Sequence, residues 1–425
     1  MQIDELYSIY LQHPHIETDT RKISRDCIFF ALKGPNFNGN RFVQQALEKG
    51  ASYCIADENT GIKDERIILV DNALETLQLL AKKHRQSFSI PFIAITGSNG
   101  KTTSKELVSA VLSSTYCCYT TQGNLNNHIG VPLTLLKIKK DAAIAVIEMG
   151  ANHLYEIESY CQYAMPTHGL ITNCGKAHLE GFGSVENIKK AKGELFDYLK
   201  ANNGTAFILT QTGYLDNMSK GIKHIITYGT ANADYTAIAL NNNTSLLQLK
   251  ITKGISEELI QTQLVGSYNL PNVLAAICIG KTFDVPDKKI KTAIENYAPS
   301  NSRSQLIEKN GNKIILDAYN ANPSSMSLAI ENFAGLTGNK VLIIGSMMEL
   351  GHAADEEHDK IIELIKKYTW KAVALTGNGF KNFPAHFFHF TNAEETAEWY
   401  QKQLFTDCLV LIKGSRSMQM EKLLD

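Results

Sequence analysis

The sequence predicts an α/β protein of three domains. Three observations carry this. Buried strand-like runs alternate with helical segments from residue 92 onward, the pattern of parallel sheets covered by helices. One such run, "FIAIT" (92–96), leads directly into a glycine-bounded loop and then a helix. Pro91 and the stretch "YAPSNSRSQ" (297–305) punctuate the chain and place boundaries at 1–88, 89–299 and 300–425. A chain of 425 residues has room for two to four domains at about 100–200 residues each.

In the first unit, "CIFFALKG" (27–34) reads as a strand and "VQQALEKGASYCIAD" (43–57) as helix, glycine stop, strand. "AKKHRQSFSIP" (81–91) is polar and ends in proline, which predicts a linker. In the central unit the helix after "FIAIT" has Leu107, Val108, Val111 and Leu112 on one face. Strands follow at "AAIAVIEMG" (142–150), "HGLITN" (168–173), "TAFIL" (205–209) and "HIITYG" (224–229). This is a phosphate-loop-like, mostly parallel sheet with helices on both faces. "YTAIAL", "SLLQLKI" and "LIQTQLV" within 234–265 read as antiparallel strands, with "NNN" (241–243) at a turn, and "NVLAAICIGKTF" (272–283) as a helix. Beyond 300, "KIILD", "KVLIIG", "AVALTG" and "CLVLIKG" are strands separated by helical segments, a Rossmann-like α/β unit.

Composition excludes some classes. Apolar residues make up 44% and charged residues 20%, as in a globular protein, and the net charge is −1. The 42 basic residues are scattered, so no charged face for nucleic acid or a membrane surface is expected. The 8 cysteines form no C-x-x-C pair, which predicts reduced core thiols in a cytoplasmic protein. The start, "MQIDELYSIYLQ", is not a signal peptide, and no apolar run nears the ~18 residues of a membrane span. The expected form is a cytoplasmic monomer.

The chemistry begins at Gly97, Ser98, Asn99, Gly100, Lys101, Thr102 and Thr103. Two residues separate the glycines, where the usual phosphate loop has four. Small residues let backbone N–H groups turn inward, and the following helix adds partial positive charge. Lys101 can reach the β- and γ-phosphates, and Thr102 can offer its hydroxyl to Mg²⁺. The competing reading is a glycine turn beside a surface lysine. Glu148 closes the strand in "VIEMGANH" (146–153), at the end where α/β sheets bind ligands. Alone it is either a solvated acid or a carboxylate facing a cation. His178, in "ITNCGKAHLEGFGS" (171–184), follows another strand end, with Asn173 as a polar neighbour. Lys192, in "NIKKAKGELF" (187–196), lies on a helix whose lysines would ordinarily form a solvated face.

The loop spacing T-G-x-N-G-K-T resembles that of the Mur ligase family, whose members join amino acids or peptides to carboxylates using ATP. The resemblance implies that Glu148 holds a first Mg²⁺ and His178 a second. It also implies that Lys192, in A-K-G-E, is carbamylated, which turns an ammonium into the hard oxygen ligand Mg²⁺ prefers. "GSYNLPNVLAA" (266–276) resembles the adenine motif through Asn269 and Asn272, with Tyr268 where histidine is commoner. On residues alone those asparagines read as helix capping. Arg303 resembles the arginine that reaches the γ-phosphate, and Asp317 the ribose ligand. The resemblance therefore makes Lys101, His178, Lys192 and Arg303 the catalytic candidates.

"GNLNNHIGVPLTLL" (123–136), "DAYNANPSSM" (317–326) and "GSMMELG" (345–351) with His358 resemble one branch. That branch adds D-alanyl-D-alanine to a UDP-N-acetylmuramoyl tripeptide. The likeness implies substrate contacts from Asn126, Asn127, Tyr319, Asn320 and Asn322. "TDTRKI" (18–23) resembles the uridine-nucleotide-binding region, with Thr20 in place of a usual serine and Arg21 beside it. "IKGSRSMQME" (412–421) resembles the C-terminal substrate segment, which includes Ser415. The implied reaction passes through an acyl phosphate, with ATP and Mg²⁺ required. The base for the incoming amine is open between a carboxylate, His178 and solvent. Competing readings are a third-residue-adding ligase, a folylpolyglutamate synthase, and a phosphate-loop ATPase that forms no bond. "DTRK" and "YNANP" argue against the first two.

Overall fold

The computed structural model describes residues 2–240, 245–300 and 302–425, so the turn predicted at 241–243 lies outside the described residues. The first sheet is parallel, in the order Ile16–Glu17, Ile28–Phe30, Tyr53–Ala56, Ile67–Leu69. Its residues alternate between two cores, as a period of two requires. Cys27, Phe29 and Ala31 pack with Val43, Ala46 and Leu47 of the helix Val43–Glu48. Ile28, Phe30 and Leu32 share a core with Leu6, Tyr10, Leu77 and Leu80, which runs on into the central sheet.

The linker predicted over 81–91 is corrected at its start. Residues 81–85 are the last turn of the helix Ala73–Arg85, whose first turn is capped by the Asn72 side chain. The polar sequence misled because His84 and Arg85 are buried on partners far along the chain. His84 Nε2 lies 2.8 Å from the Ile138 carbonyl. Arg85 donates to the carbonyls of Ala164 (3.0 Å) and Met165 (2.9 Å), with its guanidinium 3.7 Å from the Phe92 ring centre.

The central sheet has nine strands among the described residues. From one edge they run Cys118–Thr120, Ile144–Glu148, Phe92–Thr96, His168–Ile171, Thr205–Leu209, His224–Gly229 and Tyr235–Ala239, all parallel. Leu246–Lys253 and Leu259–Val265 complete it antiparallel, as the sequence predicts. The chain leaves Phe92–Thr96 for the edge, returns to Ile144–Glu148, then crosses to His168–Ile171. Strand order therefore reverses around Phe92–Thr96, the position where open α/β sheets form a ligand crevice. Leu107, Val108, Val111 and Leu112 of the helix Lys101–Ser113 are fully buried in the same core as the almost wholly apolar helix Leu270–Thr282.

The third sheet runs Gln305–Lys309, Asn312–Asp317, Cys408–Lys413, Asn339–Gly345, Ala372–Thr376, Phe388–Phe390, parallel except for the first pair. Both edge strands are absent from the sequence reading. They are only partly buried and so lack an apolar run. Among the described residues no helix is long and apolar enough to cross a membrane, and all eight cysteines are free thiols.

Candidate active site

The loop after Phe92–Thr96 needs its glycines. Gly97 has φ +143° and Gly100 +78°, and a Cβ at Gly97 would overlap Thr172 Oγ1. At Gly100 it would sit 2.7 Å from Asn272 Oδ1. Asn173 moulds the loop: its carbonyl accepts from Ser98 N (2.8 Å), its Oδ1 from Asn99 N (3.1 Å), and its Nδ2 donates to the Asn99 carbonyl (3.0 Å). Ser98 Oγ donates to the Gly175 carbonyl at 2.7 Å. Lys101 begins the helix and folds back to donate to the carbonyls of Gly97 (2.7 Å) and Ser98 (3.2 Å). Burial, with a smaller push from Arg303, holds its amine below the usual lysine range, while Glu148 and Glu349 pull the other way.

Glu148 is 1% exposed. Its Oε1 accepts from Thr102 Oγ1 (3.1 Å) and Asn126 Nδ2 (2.7 Å). Its Oε2 is buried without a hydrogen-bond partner among the described residues. An unpartnered buried carboxylate oxygen is costly, and a cation would relieve that cost. The donors fit Mg²⁺, which takes hard oxygens and usually one or two carboxylates plus substrate phosphates and water. No cluster of three or more acidic, histidine or cysteine side chains is poised as a complete metal site among the described residues. Phosphate oxygens would have to complete the shell.

His178 sits at φ +51° ahead of the short helix Leu179–Phe182. Its Nδ1 lies 2.6 Å from Glu349 Oε2, off the N–H direction. Glu349 is a neighbour the sequence reading quotes within "GSMMELG" without a role, and His178 beside it holds its carboxyl below the usual range. Lys192 is not on a solvated face. It is 1% exposed, donates to the Ala151 carbonyl at 3.1 Å, and lies 5.0 Å from the Phe182 ring centre. Burial, then the charge of Lys101, lowers its pKa to about 7. Lys189 on the same helix behaves as expected of a solvated lysine, pairing with Glu186 at 2.8 Å.

Asn269 and Asn272 open the helix Leu270–Thr282, but no side chain caps it, so the capping alternative is not realised. Asn269 donates to the Val265 carbonyl (2.8 Å) and accepts from Asn272 Nδ2 (2.8 Å). Tyr268 shares a 3.1 Å hydrogen bond with Ser304 Oγ. Arg303 stacks 3.5 Å over the Tyr319 ring. Asp317 Oδ2 pairs at 2.6 Å with Lys413, which is 1% exposed. Lys413 lies within "CLVLIKG" and "IKGSRSMQME" but has no role assigned from sequence, although a charged residue closing an apolar strand is the signal that picks out Glu148 and Asp317.

One cavity of about 900 Å³ brings these groups together. Residues 98–103, Asn126, Asn127, Glu148, His178, Asn269, Asn272, Arg303, Asp317, Tyr319, Asn320 and Asn322 all line it. Lys192 lies behind Ala151 of its wall. Asn322 Nδ2 donates to Asn99 Oδ1 at 2.7 Å, tying the third sheet to the loop, and Lys176 N donates to Ser324 Oγ at 2.9 Å. Thr20, Arg21 and Ser415 are not among its lining residues. Thr20 and Arg21 form a short turn capped by Asp19, whose carboxylate also holds the exposed Arg21 guanidinium at 2.7 Å. Ser415 donates to the Ser346 carbonyl. His358 is structural: Nε2 accepts from Met347 N (3.0 Å) and Nδ1 donates to the Ala354 carbonyl (2.7 Å).

A phosphate loop at a strand switch point, a buried half-satisfied carboxylate beside it, and a cavity shared with a second α/β sheet are the makings of a nucleotide-phosphate site. Three family models match in order: "Mur ligase family, catalytic domain" over 14–85, "Mur ligase middle domain" over 95–280 and "Mur ligase, glutamate ligase domain" over 302–416. The chain belongs to the Mur ligase family. It is 33% identical to UDP-N-acetylmuramoyl-tripeptide–D-alanyl-D-alanine ligase of Bacillus subtilis, covering 96% of this chain and 92% of that one. It is 34% identical to the Haemophilus influenzae protein of the same name, covering 97% and 93%. Among solved structures, MurF from Acinetobacter baumannii matches with TM-score 0.87 at 28% identity, covering 96% of this chain and 92% of that one. MurF ligase from Thermotoga maritima in complex with ADP matches with TM-score 0.86 at 26% identity, covering 97% of both. A Mycobacterium tuberculosis folylpolyglutamate synthase shares the fold alone, with TM-score 0.61 at 13% identity, covering 81% and 92%.

Proposed function

We propose that the chain is an ATP-dependent ligase that joins D-alanyl-D-alanine to a UDP-N-acetylmuramoyl tripeptide during peptidoglycan precursor synthesis. The observation that carries the reading is the single cavity in which the phosphate loop faces the 317–322 segment of the third sheet. An activated acyl group and its acceptor need one chamber closed to water. Residues 1–88, with Thr20 and Arg21, hold the uridine nucleotide. Residues 89–299 hold ATP, and residues 300–425 bring the dipeptide, with Asn320, Asn322 and Ser415 on its side. The protein works as a cytoplasmic monomer, without nucleic acid or membrane.

A carboxylate is a poor electrophile. Its oxygen attacks the γ-phosphorus, ADP leaves, and an acyl phosphate forms. Two anionic groups must meet for this, and Lys101 and Arg303 lower their repulsion. Glu148 Oε2 and the Thr102 hydroxyl would hold Mg²⁺, which would supply further positive charge. Lys192, whose amine is neutral in part near pH 7, adds to CO₂ through nitrogen and loses a proton to become a carbamate. That carbamate and His178 would hold a second cation. The neutral amine of the dipeptide then attacks the acyl carbon and phosphate leaves. Holding both partners in line supplies roughly 7–11 kcal/mol of the barrier.

Phosphate release in the presence of ATP and the UDP-tripeptide is expected to rise at least about tenfold when D-alanyl-D-alanine is added. Release that ignores the dipeptide contradicts the ligase reading and favours a plain ATPase. Glu148→Gln removes the charge of the unpartnered oxygen. It is expected to raise the Mg²⁺ concentration for half-maximal activity by about tenfold or more. An unchanged Mg²⁺ titration would count against this role.

A further inference from the structure

His178 and Glu349 belong to different sheets and meet across the cavity's edge. His178 follows the central strand His168–Ile171, and Glu349 follows the third-sheet strand Asn339–Gly345. The contact has three unusual features. His178 Nδ1 is shielded from solvent, forms no aligned hydrogen bond among the described residues, and has Glu349 Oε2 2.6 Å away. Both residues occupy the left-handed region, at φ +51° and +61°, where a non-glycine residue is held only by its surroundings. The backbones are joined as well, because Glu180 N donates to the Glu349 carbonyl at 3.1 Å. Gly351, at φ +53°, lets the second strand's loop lie flat on this junction, where a Cβ would stand 3.3 Å from Glu180 Cα.

We infer that Glu349 is a positioning residue that fixes the His178 ring from the third sheet, so that docking of that sheet completes the central site. The 2.6 Å contact holds the Nδ1 edge of the ring toward Glu349 and turns Nε2 away from it. The Glu349 carbonyl simultaneously satisfies an orphan N–H in the first turn of Leu179–Phe182. One residue therefore sets both the ring and the turn that carries it. Leu350, buried in the third-sheet core, anchors the loop from behind. The activity arm of the test rests on the ligase reading, whereas the exchange arm does not.

The test uses Glu349→Ala, Glu349→Gln, His178→Ala and the Glu349→Ala/His178→Ala pair in the full chain. Amide hydrogen exchange over residues 178–183, read without ligands, is expected to speed up about tenfold in either alanine variant and no further in the pair. Kinetically, Glu349→Ala is expected to lower kcat about tenfold or more with the KM for ATP changed less than about twofold. Glu349→Gln keeps an acceptor oxygen on an isosteric side chain, and is expected to recover most of both losses. Additive exchange effects in the pair, a glutamine variant as impaired as the alanine one, or unaltered exchange in Glu349→Ala would each overturn the inference. A wild-type protein without dipeptide-dependent release would overturn the ligase reading, and the exchange result would then decide the role of Glu349.

Discussion

Lys192→Met is expected to lose ligation, with kcat down on the order of 10²–10³-fold, in a protein that folds normally. The two halves of this expectation have separate causes. Lys192 is 1% exposed, and among the described residues its amine has one carbonyl partner and no carboxylate partner. Burying an amine in that way costs stability, so a methionine that fills the same volume removes a cost. Alanine would leave a cavity and cost about 2–3 kcal/mol, which would blur the result. On the proposed reading the catalytic loss would follow from the missing carbamate, since an unmodified lysine cannot ligate a hard cation while protonated. Wild-type activity should also fall when CO₂ and bicarbonate are depleted, while the residual activity of Lys192→Met should not respond. Near-normal turnover in Lys192→Met would remove the carbamate from the account.

Lys101→Met is the second large effect, with kcat/KM for ATP expected to fall about 10³-fold, or about 4 kcal/mol. Lys101 donates to the carbonyls of its own loop, Gly97 and Ser98. Those bonds hold the amine over the loop, and on the proposed reading it would exchange them for phosphate oxygens when nucleotide binds. The transition state carries more negative charge on the transferring group's surroundings than the ground state, so the loss should exceed the change in ADP affinity. A drop of less than tenfold would show that Arg303 and the cation carry the charge without it.

The loop was the most legible part of the site, because each feature answers to a local steric or hydrogen-bonding need. Gly97 and Gly100 occupy backbone regions that favour glycine, and a Cβ at either would collide with Thr172 or Asn272. Glu148 and Asp317 were legible by position, as acids closing buried strands. Lys192 was not legible from its residues. Its neighbours Lys189 and Lys190 carry the same side chain on the same helix, and only the family resemblance separated it from a solvated face. Glu349 and Lys413 were missed for a related reason: their meaning lies in partners 171 and 96 residues away in the chain. In the fold, the long apolar strands were legible, while the edge strands Gln305–Lys309 and Phe388–Phe390 lacked the burial that writes a pattern. The misread linker at 81–85 shows the converse. Polar residues signal exposure only when no distant backbone carbonyl is waiting for them, and Arg85 has two such carbonyls.

The central claim is that the cavity activates a carboxylate by phosphorylating it. The most direct test supplies UDP-tripeptide labelled with ¹⁸O in the reacting carboxylate, together with ATP and D-alanyl-D-alanine, and weighs the released phosphate. An acyl phosphate requires one labelled oxygen to leave with each phosphate formed, in step with the new amide bond. Phosphate released without the label would mean that water, and not the carboxylate, had attacked ATP, and the account would be wrong.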